Sequence, residues 1–308
     1  MMTALRLGTR GSALALAQAG QVARALTAIS GEPVELVEIL TDGDRSTAAI
    51  PRLGVGVFVS ALRHALAAKE IDFAVHSYKD LPTAPAEGLV IAAVPGREDP
   101  RDALITRDGI GLTELGPGAR IGTGAPRRMA QVHAWGREFE CVPIRGNVDT
   151  RLGKVASGEL DAVILAMAGL RRLGRTLEVG EVLDPALMLP APAQGALAVE
   201  CRNTDTSLVE LLGGLDDEPS RAAVEAERAL LAALEAGCSA PVAALADVGE
   251  NDEGSGEIYL RGAVFSPDGS FARRLSGTGT LSDASGVGRR LAAELLAEGA
   301  DHVLGEHA

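Results

Sequence analysis

The chain of 308 residues has little of several residue types, and each shortage excludes a class of protein. Aromatic residues make up only 3%, so the core must be built from Ala, Val and Leu, which suits helices packed on parallel strands. No run of 18 or more apolar residues occurs, so we expect no membrane span. The three cysteines stand far apart without a CxxC pair, so we expect neither a disulfide framework nor a metal site.

Positive charge is also scarce. The net charge of −13 has the wrong sign for a nucleic-acid-binding protein, so we expect no nucleic-acid partner. Only three of the 29 basic residues are lysine, and arginine is the side chain that forms paired hydrogen bonds with carboxylates and phosphates. Residues 97–175 carry a net charge of +3 within this acidic chain. The first residues show no signal-peptide pattern, and we expect a cytoplasmic monomer.

Short apolar runs alternate with helical patterns over the first two-thirds of the chain, which is typical of α/β domains with mostly parallel sheets. The predicted strands cover residues 5–8, 34–40, 71–76, 90–94, 103–106, 140–144 and 161–166. The predicted helices cover residues 12–29, 58–70, 127–136, 148–157 and 168–174, the first with Ser12 as its N-cap. A helix over 219–237, strands over 242–248, 257–265 and 271–280, and a helix over 284–298 then predict a small α+β domain.

One polar segment, residues 76–82 (His-Ser-Tyr-Lys-Asp-Leu-Pro), directly follows an apolar strand pattern. It places Ser77, Lys79 and Asp80 together at a strand end, which is where α/β sheets bind their ligands. We interpret His76 as a structural hydrogen-bond partner. The alternative is a capped turn in which Asp80 bonds only backbone N–H groups, since Asp and Ser are ordinary turn residues.

Arginines recur just after predicted strands or at predicted helix starts. Helix N-termini already favour anions, so guanidinium groups at these positions predict an acidic ligand with several carboxylates or a phosphate. The alternative is a set of exposed arginines whose surface ion pairs contribute about 0–1 kcal/mol each. The arginines in question are Arg10, Arg127, Arg128, Arg145, Arg151, Arg171 and Arg172. Gly122-Thr123-Gly124 lacks the third glycine of a dinucleotide motif, so we do not expect NAD.

The cysteines differ in their sequence surroundings. Cys238 stands between a predicted helix and a predicted strand, where a thiol is available for covalent chemistry. Cys141 and Cys201 lie in apolar strand-like runs and are interpreted as small core residues. No histidine stands in a base motif for Cys238, so thiol-protease chemistry is not indicated.

Taken together, these segments resemble the hydroxymethylbilane synthase family, also called porphobilinogen deaminase. The similar segments follow the family's order over nearly the whole chain. They are Gly8-Thr9-Arg10-Gly11-Ser12, residues 76–82, Arg97-Glu98-Asp99-Pro100-Arg101-Asp102, Arg145-Gly146-Asn147-Val148-Asp149-Thr150-Arg151-Leu152, Leu165-Ala166-Met167-Ala168-Gly169-Leu170, Gln194-Gly195-Ala196 and Gly237-Cys238.

The resemblance implies an α/β fold of two type II periplasmic-binding-protein-like domains plus a small C-terminal α+β domain. The implied boundaries are residues 1–95 with 196–215, residues 96–195, and residues 216–308. It also implies a transferase that joins four porphobilinogen units head to tail into hydroxymethylbilane, releasing ammonia. The product would grow on a dipyrromethane cofactor held by a thioether, here at Cys238.

The same resemblance assigns roles to individual residues. Asp80 would be the catalytic acid. The cofactor would be bound by Ser12, Ser77, Lys79, Thr123, Arg127, Arg128, Gly146, Gln194 and Cys238. The substrate's acetate and propionate groups would be bound by Arg10, Arg145, Arg151 and Arg172.

Two positions depart from the family pattern. Residues 41–56 form a long glycine-containing segment without periodicity, which indicates either a lid or a disordered loop. Many relatives have Lys in this segment where this chain has Val55, and many have paired serines where it has Gly124-Ala125. The competing function is a non-catalytic binding module for small anions, since two-domain α/β clefts also serve solute-binding proteins. A nucleotide-dependent enzyme is less favoured, because the chain has no phosphate-loop signature.

Overall fold

The computed structural model describes residues 4–40, 57–235, 241–250 and 254–304. Residues 41–56, the segment expected to be a lid or a disordered loop, lie outside the described residues with Val55, and so does Cys238. The chain divides into two compact units, residues 1–97 with 196–221 and residues 98–195 with 222–308. The three domain boundaries expected from the sequence remain a prediction.

Strands and helices alternate through most of the described chain. The strands are β1 (Leu5–Thr9), β2 (Val34–Glu38), β3 (Phe73–Ser77), β4 (Leu89–Ala93), β5 (Asp102–Thr106), β6 (Arg120–Thr123), β7 (Glu140–Pro143), β8 (Ala162–Ala166), β9 (Glu181–Val182), β10 (Leu197–Arg202), β11 (Val242–Glu250), β12 (Gly256–Phe265) and β13 (Ala272–Thr280). The helices are α1 (Ala13–Ser30), α2 (Val57–Ala67), α3 (Pro126–Ala134), α4 (Val148–Ala156), α5 (Met167–Arg172), α6 (Thr206–Gly213), α7 (Glu218–Ala233), α8 (Ala284–Leu295) and α9 (Asp301–Leu304).

Two five-stranded sheets share one arrangement. The first has the order β2-β1-β3-β10-β4, and the second has the order β7-β6-β8-β5-β9. In the first sheet β10 runs antiparallel to both of its neighbours, and in the second β5 does the same. The expectation of mostly parallel sheets is therefore only partly right. Two consecutive parallel strands of one sheet are joined by a crossover, usually a helix. β5 and β10 are not reached in this way, because the strand before each of them belongs to the other sheet.

The C-terminal residues form a separate antiparallel sheet, β11-β12-β13. One face of it packs against α7 and α8 through an aliphatic cluster that includes Leu230, Leu260 and Leu291. The predicted fold class, two α/β domains and a small α+β domain, is confirmed. The cores consist mostly of aliphatic side chains, and the largest fully buried side chains are those of Phe73 and Phe265.

Candidate active site

The first group of predicted site residues lies where β1 and β3 end. These strands are parallel neighbours, so their carboxyl ends lie side by side. Arg10 directly follows β1, and Ser12 is the N-cap of α1, with its hydroxyl accepting a hydrogen bond from the Ala15 N–H at 3.3 Å. Ser77 ends β3, and a 3₁₀ turn over Tyr78–Asp80 follows. The sheet topology thus explains why residues 67 positions apart in sequence reach one site.

The turn after β3 is fixed by its backbone and presents Asp80 to solvent. The Tyr78 N–H donates to the Ala196 carbonyl at 3.1 Å, and the Leu81 N–H donates to the Tyr78 carbonyl at 3.2 Å. Tyr78 is buried and Lys79 is half-buried, whereas Asp80 is exposed. Among residues 4–40, 57–235, 241–250 and 254–304, no hydrogen bond or ion pair to the Asp80 carboxylate is found. The alternative in which Asp80 only caps the turn is therefore not observed there.

Asp80 and Arg10 line a small cavity of about 40 Å³ together with Gln18, His76 and Ser77. Gln18 comes from α1 and is 5% exposed, and its amide nitrogen lies 2.9 Å from the Ser77 hydroxyl oxygen. The cavity combines a carboxylate, a guanidinium, a hydroxyl and an amide. It can therefore receive polar groups of either charge.

A buried cluster of charged residues contacts β3 at His76, next to this strand end. Glu200 on β10 accepts hydrogen bonds from Arg63 Nη2 at 2.8 Å and contacts His76 Nε2 at 3.1 Å. Burial alone would raise the pKa of the Glu200 carboxyl, but the hydrogen bonds from His76 and Arg63 outweigh it and lower that pKa. The interpretation of His76 as a structural hydrogen-bond partner agrees with this contact.

The second group of predicted site residues surrounds Asp102, the first residue of β5, whose side chain is fully buried. Arg127 Nη2 donates to Asp102 Oδ2 at 2.8 Å, and Arg128 Nη2 donates to Oδ1 at 2.8 Å. Gln194 Nε2 also donates to Oδ1, at 2.8 Å. Burial alone would raise the pKa of the Asp102 carboxyl. The two guanidinium groups outweigh this effect and lower the pKa, so the carboxyl is ionised.

Both arginines of this cluster are deeply buried, Arg127 at 4% and Arg128 at 5% exposure. Each also donates to a carbonyl group, Arg127 to Leu189 at 2.6 Å and Arg128 to Ile164 at 2.9 Å. The pKa of Arg127 is lowered by burial, although Asp102 opposes the change. Two guanidinium groups against one carboxylate leave one net positive charge in the cluster.

Three further arginines that the sequence assigns to the site, Arg145, Arg151 and Arg172, are half-buried. Arg151 Nε donates to the Gly146 carbonyl at 2.9 Å, and burial together with the nearby Arg128 and Arg145 lowers its pKa. Because neighbouring guanidinium groups repel one another, an anionic ligand would stabilise this group of arginines. Arg172 Nη2 donates to the Gly195 carbonyl at 2.7 Å.

Gly146 and Thr123, which the resemblance assigns to cofactor binding, both belong to the local backbone geometry of the site. Gly146 has a φ of +103°, in the left-handed region. Thr123 is fully buried, and its hydroxyl accepts a hydrogen bond from the Ala125 N–H at 3.3 Å. A Cβ at position 124 would lie 2.5 Å from the Ile144 carbonyl oxygen. The backbone here therefore leaves no room for the serine that many relatives have in place of Gly124.

The structure thus brings Arg10, Ser77 and Asp80 into one group, and Arg127, Arg128 and Gln194 into another. Three partners were not assigned a role from the sequence: Gln18, Asp102 and Glu200. Asp102 and Glu200 could have been noticed, since each is the one carboxylate in a mostly apolar strand. A buried charge of this kind requires a partner. Gln18 has no comparable signal within α1.

Two family models match the chain. One, described as the porphobilinogen deaminase dipyromethane cofactor binding domain, matches residues 5–210. The other, described as the porphobilinogen deaminase C-terminal domain, matches residues 221–297. No helix of the described residues is long and apolar enough to cross a membrane.

Curated relatives match over almost the full length. Porphobilinogen deaminase 1 of Streptomyces coelicolor is 59% identical, covering 99% of this chain and 98% of that protein. Porphobilinogen deaminase of Nocardia farcinica is 58% identical, covering 99% of this chain and 89% of that protein. Among solved structures, the methionine-binding protein MetQ is 12% identical, with a TM-score of 0.43, covering 68% of this chain and 89% of that chain.

Proposed function

Because the chain belongs to the porphobilinogen deaminase family, we propose that Asp80 is the carboxylate at which its reaction takes place. The chain is a transferase of tetrapyrrole biosynthesis that joins four porphobilinogen units head to tail and releases ammonia at each step. It uses a dipyrromethane cofactor. The competing hypothesis of a non-catalytic anion-binding module is wrong, since both family models are those of this enzyme.

One observation carries the role of Asp80. Its exposed carboxylate has no hydrogen bond or ion pair to another described residue, and it lines the same cavity as Arg10. Loss of ammonia from an aminomethylpyrrole leaves an electron-poor carbon, and attack by another ring puts positive charge on ring nitrogens. A carboxylate facing those N–H groups stabilises the charge as it develops. When protonated, Asp80 can also donate its proton to the departing amine.

The residues of the described chain fit a ligand that carries several carboxylates. Arg172 Nε is buried and has no hydrogen-bond partner among those residues, although the other end of its guanidinium is held by Gly195. A carboxylate oxygen would satisfy it. When bound, dipyrromethane supplies the pyrrole carbon to which the first porphobilinogen is joined.

We propose that Arg145, Arg151 and Arg172 bind acetate and propionate groups directly. At an effective dielectric constant near 20, one guanidinium–carboxylate pair at close range contributes about 4 kcal/mol before desolvation. Arg127 and Arg128 already bind Asp102, so in this proposal they contribute mainly the net positive charge of their cluster. Gly146 and Thr123 shape the backbone beside them.

In the first unit, Arg10, Ser12, Ser77 and Lys79 are proposed to bind the acid groups of the ring that faces Asp80. Arg10 and Ser77 line the same cavity as Asp80, which supports the assignment. Ser12 lies two residues after Arg10, and Lys79 lies two residues after Ser77.

We propose that the cofactor is attached at Cys238 through a thioether. The thiols of Cys141 and Cys201 are poor candidates because burial raises the pKa of each to about 11. At neutral pH such thiols hold very little of the reactive thiolate. Both are free thiols, which fits the proposed cytoplasmic location, and we propose that the enzyme acts as a monomer without nucleic acid.

The test of this proposal is the variant Asp80→Asn, which keeps the size of the side chain and removes its charge. We expect turnover to fall by at least about 100-fold, because an electrostatic stabiliser of the transition state is lost. The melting temperature and cofactor attachment should stay unchanged, since Asp80 is exposed. Asp108→Asn, an exposed aspartate after β5, is the matched control and should keep full activity. Wild-type turnover in Asp80→Asn would refute the assignment.

A further inference from the structure

Gln18 is a buried amide to which the proposed reaction gives no role. It lies on α1, is 5% exposed, and lines the cavity that also contains Arg10 and Asp80. Burying an amide is unfavourable unless its hydrogen bonds are replaced. A buried amide facing a polar cavity therefore needs a reason for its position.

The amide of Gln18 is directed at one atom. Its Nε2 lies 2.9 Å from Ser77 Oγ, and its Oε1 lies 3.3 Å from the same oxygen. Within the part of the chain that the structure describes, Ser77 is the partner found for either amide atom. An amide can donate two hydrogen bonds and accept two, so most of its capacity is available to a ligand or to water.

This geometry gives Gln18 control over the Ser77 hydroxyl hydrogen. A hydroxyl has a single hydrogen to donate but can accept as well. When Gln18 Nε2 donates to Ser77 Oγ, the serine hydrogen can donate to an acceptor in the cavity. When Ser77 instead donates to Gln18 Oε1, that hydrogen is occupied. The shorter contact, from Nε2, belongs to the first arrangement.

We propose that Gln18 is a positioning residue that turns the Ser77 hydroxyl hydrogen toward a carboxylate of the bound pyrrole chain. The inference rests on the proposed function, in which Ser77 binds an acid group of the ring that faces Asp80. The neighbouring charges agree with it. Arg10 lines the same cavity and favours an anion there. A carboxylate at position 18 would compete with that anion for the serine hydrogen.

The test is a double-mutant cycle on the cofactor-loaded enzyme with Gln18→Met, Ser77→Ala and both together. Loading is verified by intact mass for every variant, and kcat/KM for porphobilinogen is the readout. Each single variant should lose about tenfold in kcat/KM, the effect of one hydrogen bond to a charged group. The double variant should lose no more than either single variant, because Gln18 acts through Ser77. Gln21→Met, at an exposed position of the same helix, should be unchanged.

Gln18→Glu gives a second, nearly isosteric test that does not depend on how well methionine packs. Its carboxylate would accept the Ser77 hydrogen and repel an anionic ligand, so kcat/KM should fall further than in Gln18→Met. A melting temperature close to wild type separates this loss from unfolding.

The outcomes distinguish the two levels of the proposal. Tenfold loss in Ser77→Ala with wild-type kcat/KM in Gln18→Met would overturn the role of Gln18 alone. Losses that multiply in the double variant would also overturn it, since they show independent contacts. Unchanged kcat/KM in Ser77→Ala would overturn both the inference and the binding role of Ser77.

Discussion

The buried cluster at Asp102 leads to a quantitative prediction about stability. Asp102→Asn keeps the shape of the side chain and removes the negative charge that faces Arg127 and Arg128. Both arginines are buried, with 4% and 5% of their surface exposed, so water cannot replace the lost partner. Asparagine can still accept a hydrogen bond, but it leaves two buried positive charges without a counter-ion.

Breaking a buried ion pair by removing one partner costs about 3–5 kcal/mol, and the retained hydrogen bond places this case near 3 kcal/mol. The entropy of unfolding scales to about 0.6 kcal/mol per degree for a chain of this length. The melting temperature should therefore fall by about 5 °C.

The assay is thermal unfolding followed by circular dichroism, with Asp247→Asn as the matched control. Asp247 accepts a hydrogen bond from Arg261 at 2.6 Å, but its side chain is 62% exposed. A surface pair of this kind contributes about 0–1 kcal/mol, which corresponds to less than about 2 °C here. Equal shifts in the two variants, or a shift below about 2 °C in Asp102→Asn, would refute the reasoning from burial.

Three further predictions use other parts of the fold. Because the pKa of Glu200 is lowered, its charge stabilises the folded state above the ordinary glutamate pKa and is lost as the pH falls through the folded-state value. Urea unfolding should thus show Glu200→Gln less stable than wild type near neutral pH, with a difference that shrinks in acid; a constant difference would contradict this. Gly195→Ala should unfold at a lower temperature than wild type, because Gly195 has a φ of +89° and a methyl group there would collide with the Glu98 carbonyl. The control, Gly153→Ala, has open space around it in α4 and should be at least as stable as wild type. Cys141 and Cys201 should react with iodoacetamide far more slowly at neutral pH than cysteine in a short unstructured peptide. Rapid labelling of either residue would contradict its raised pKa.

Periodicity predicted much of the fold, since most observed strands and helices overlap the expected ones within a few residues. Ser12 was predicted as the N-cap of α1, and its hydroxyl accepts the expected capping bond. The strand β6 was not predicted, because Ile121 is its one large apolar side chain and two of its four residues are Arg and Gly. The reversed direction of β5 and β10 was also missed, since strand direction depends on how the chain passes between sheets.

The site could be predicted only as far as its local motifs reached. Asp80, Ser77 and Arg10 follow strands of one sheet, so their grouping follows from the pattern of elements. Asp102 and Arg128 meet only through tertiary structure, and a sequence pattern cannot show that the arginine is buried against a carboxylate 26 residues away. The same holds for Gln18, whose contact with Ser77 spans 59 positions.

The most direct test of the central claim is the intact mass of the purified protein, followed by peptide mapping. The account predicts an excess over the sequence mass equal to one dipyrromethane, located on the peptide that contains Cys238 and absent from Cys238→Ser. An unmodified mass, or the same group found on Cys141 or Cys201, would contradict it.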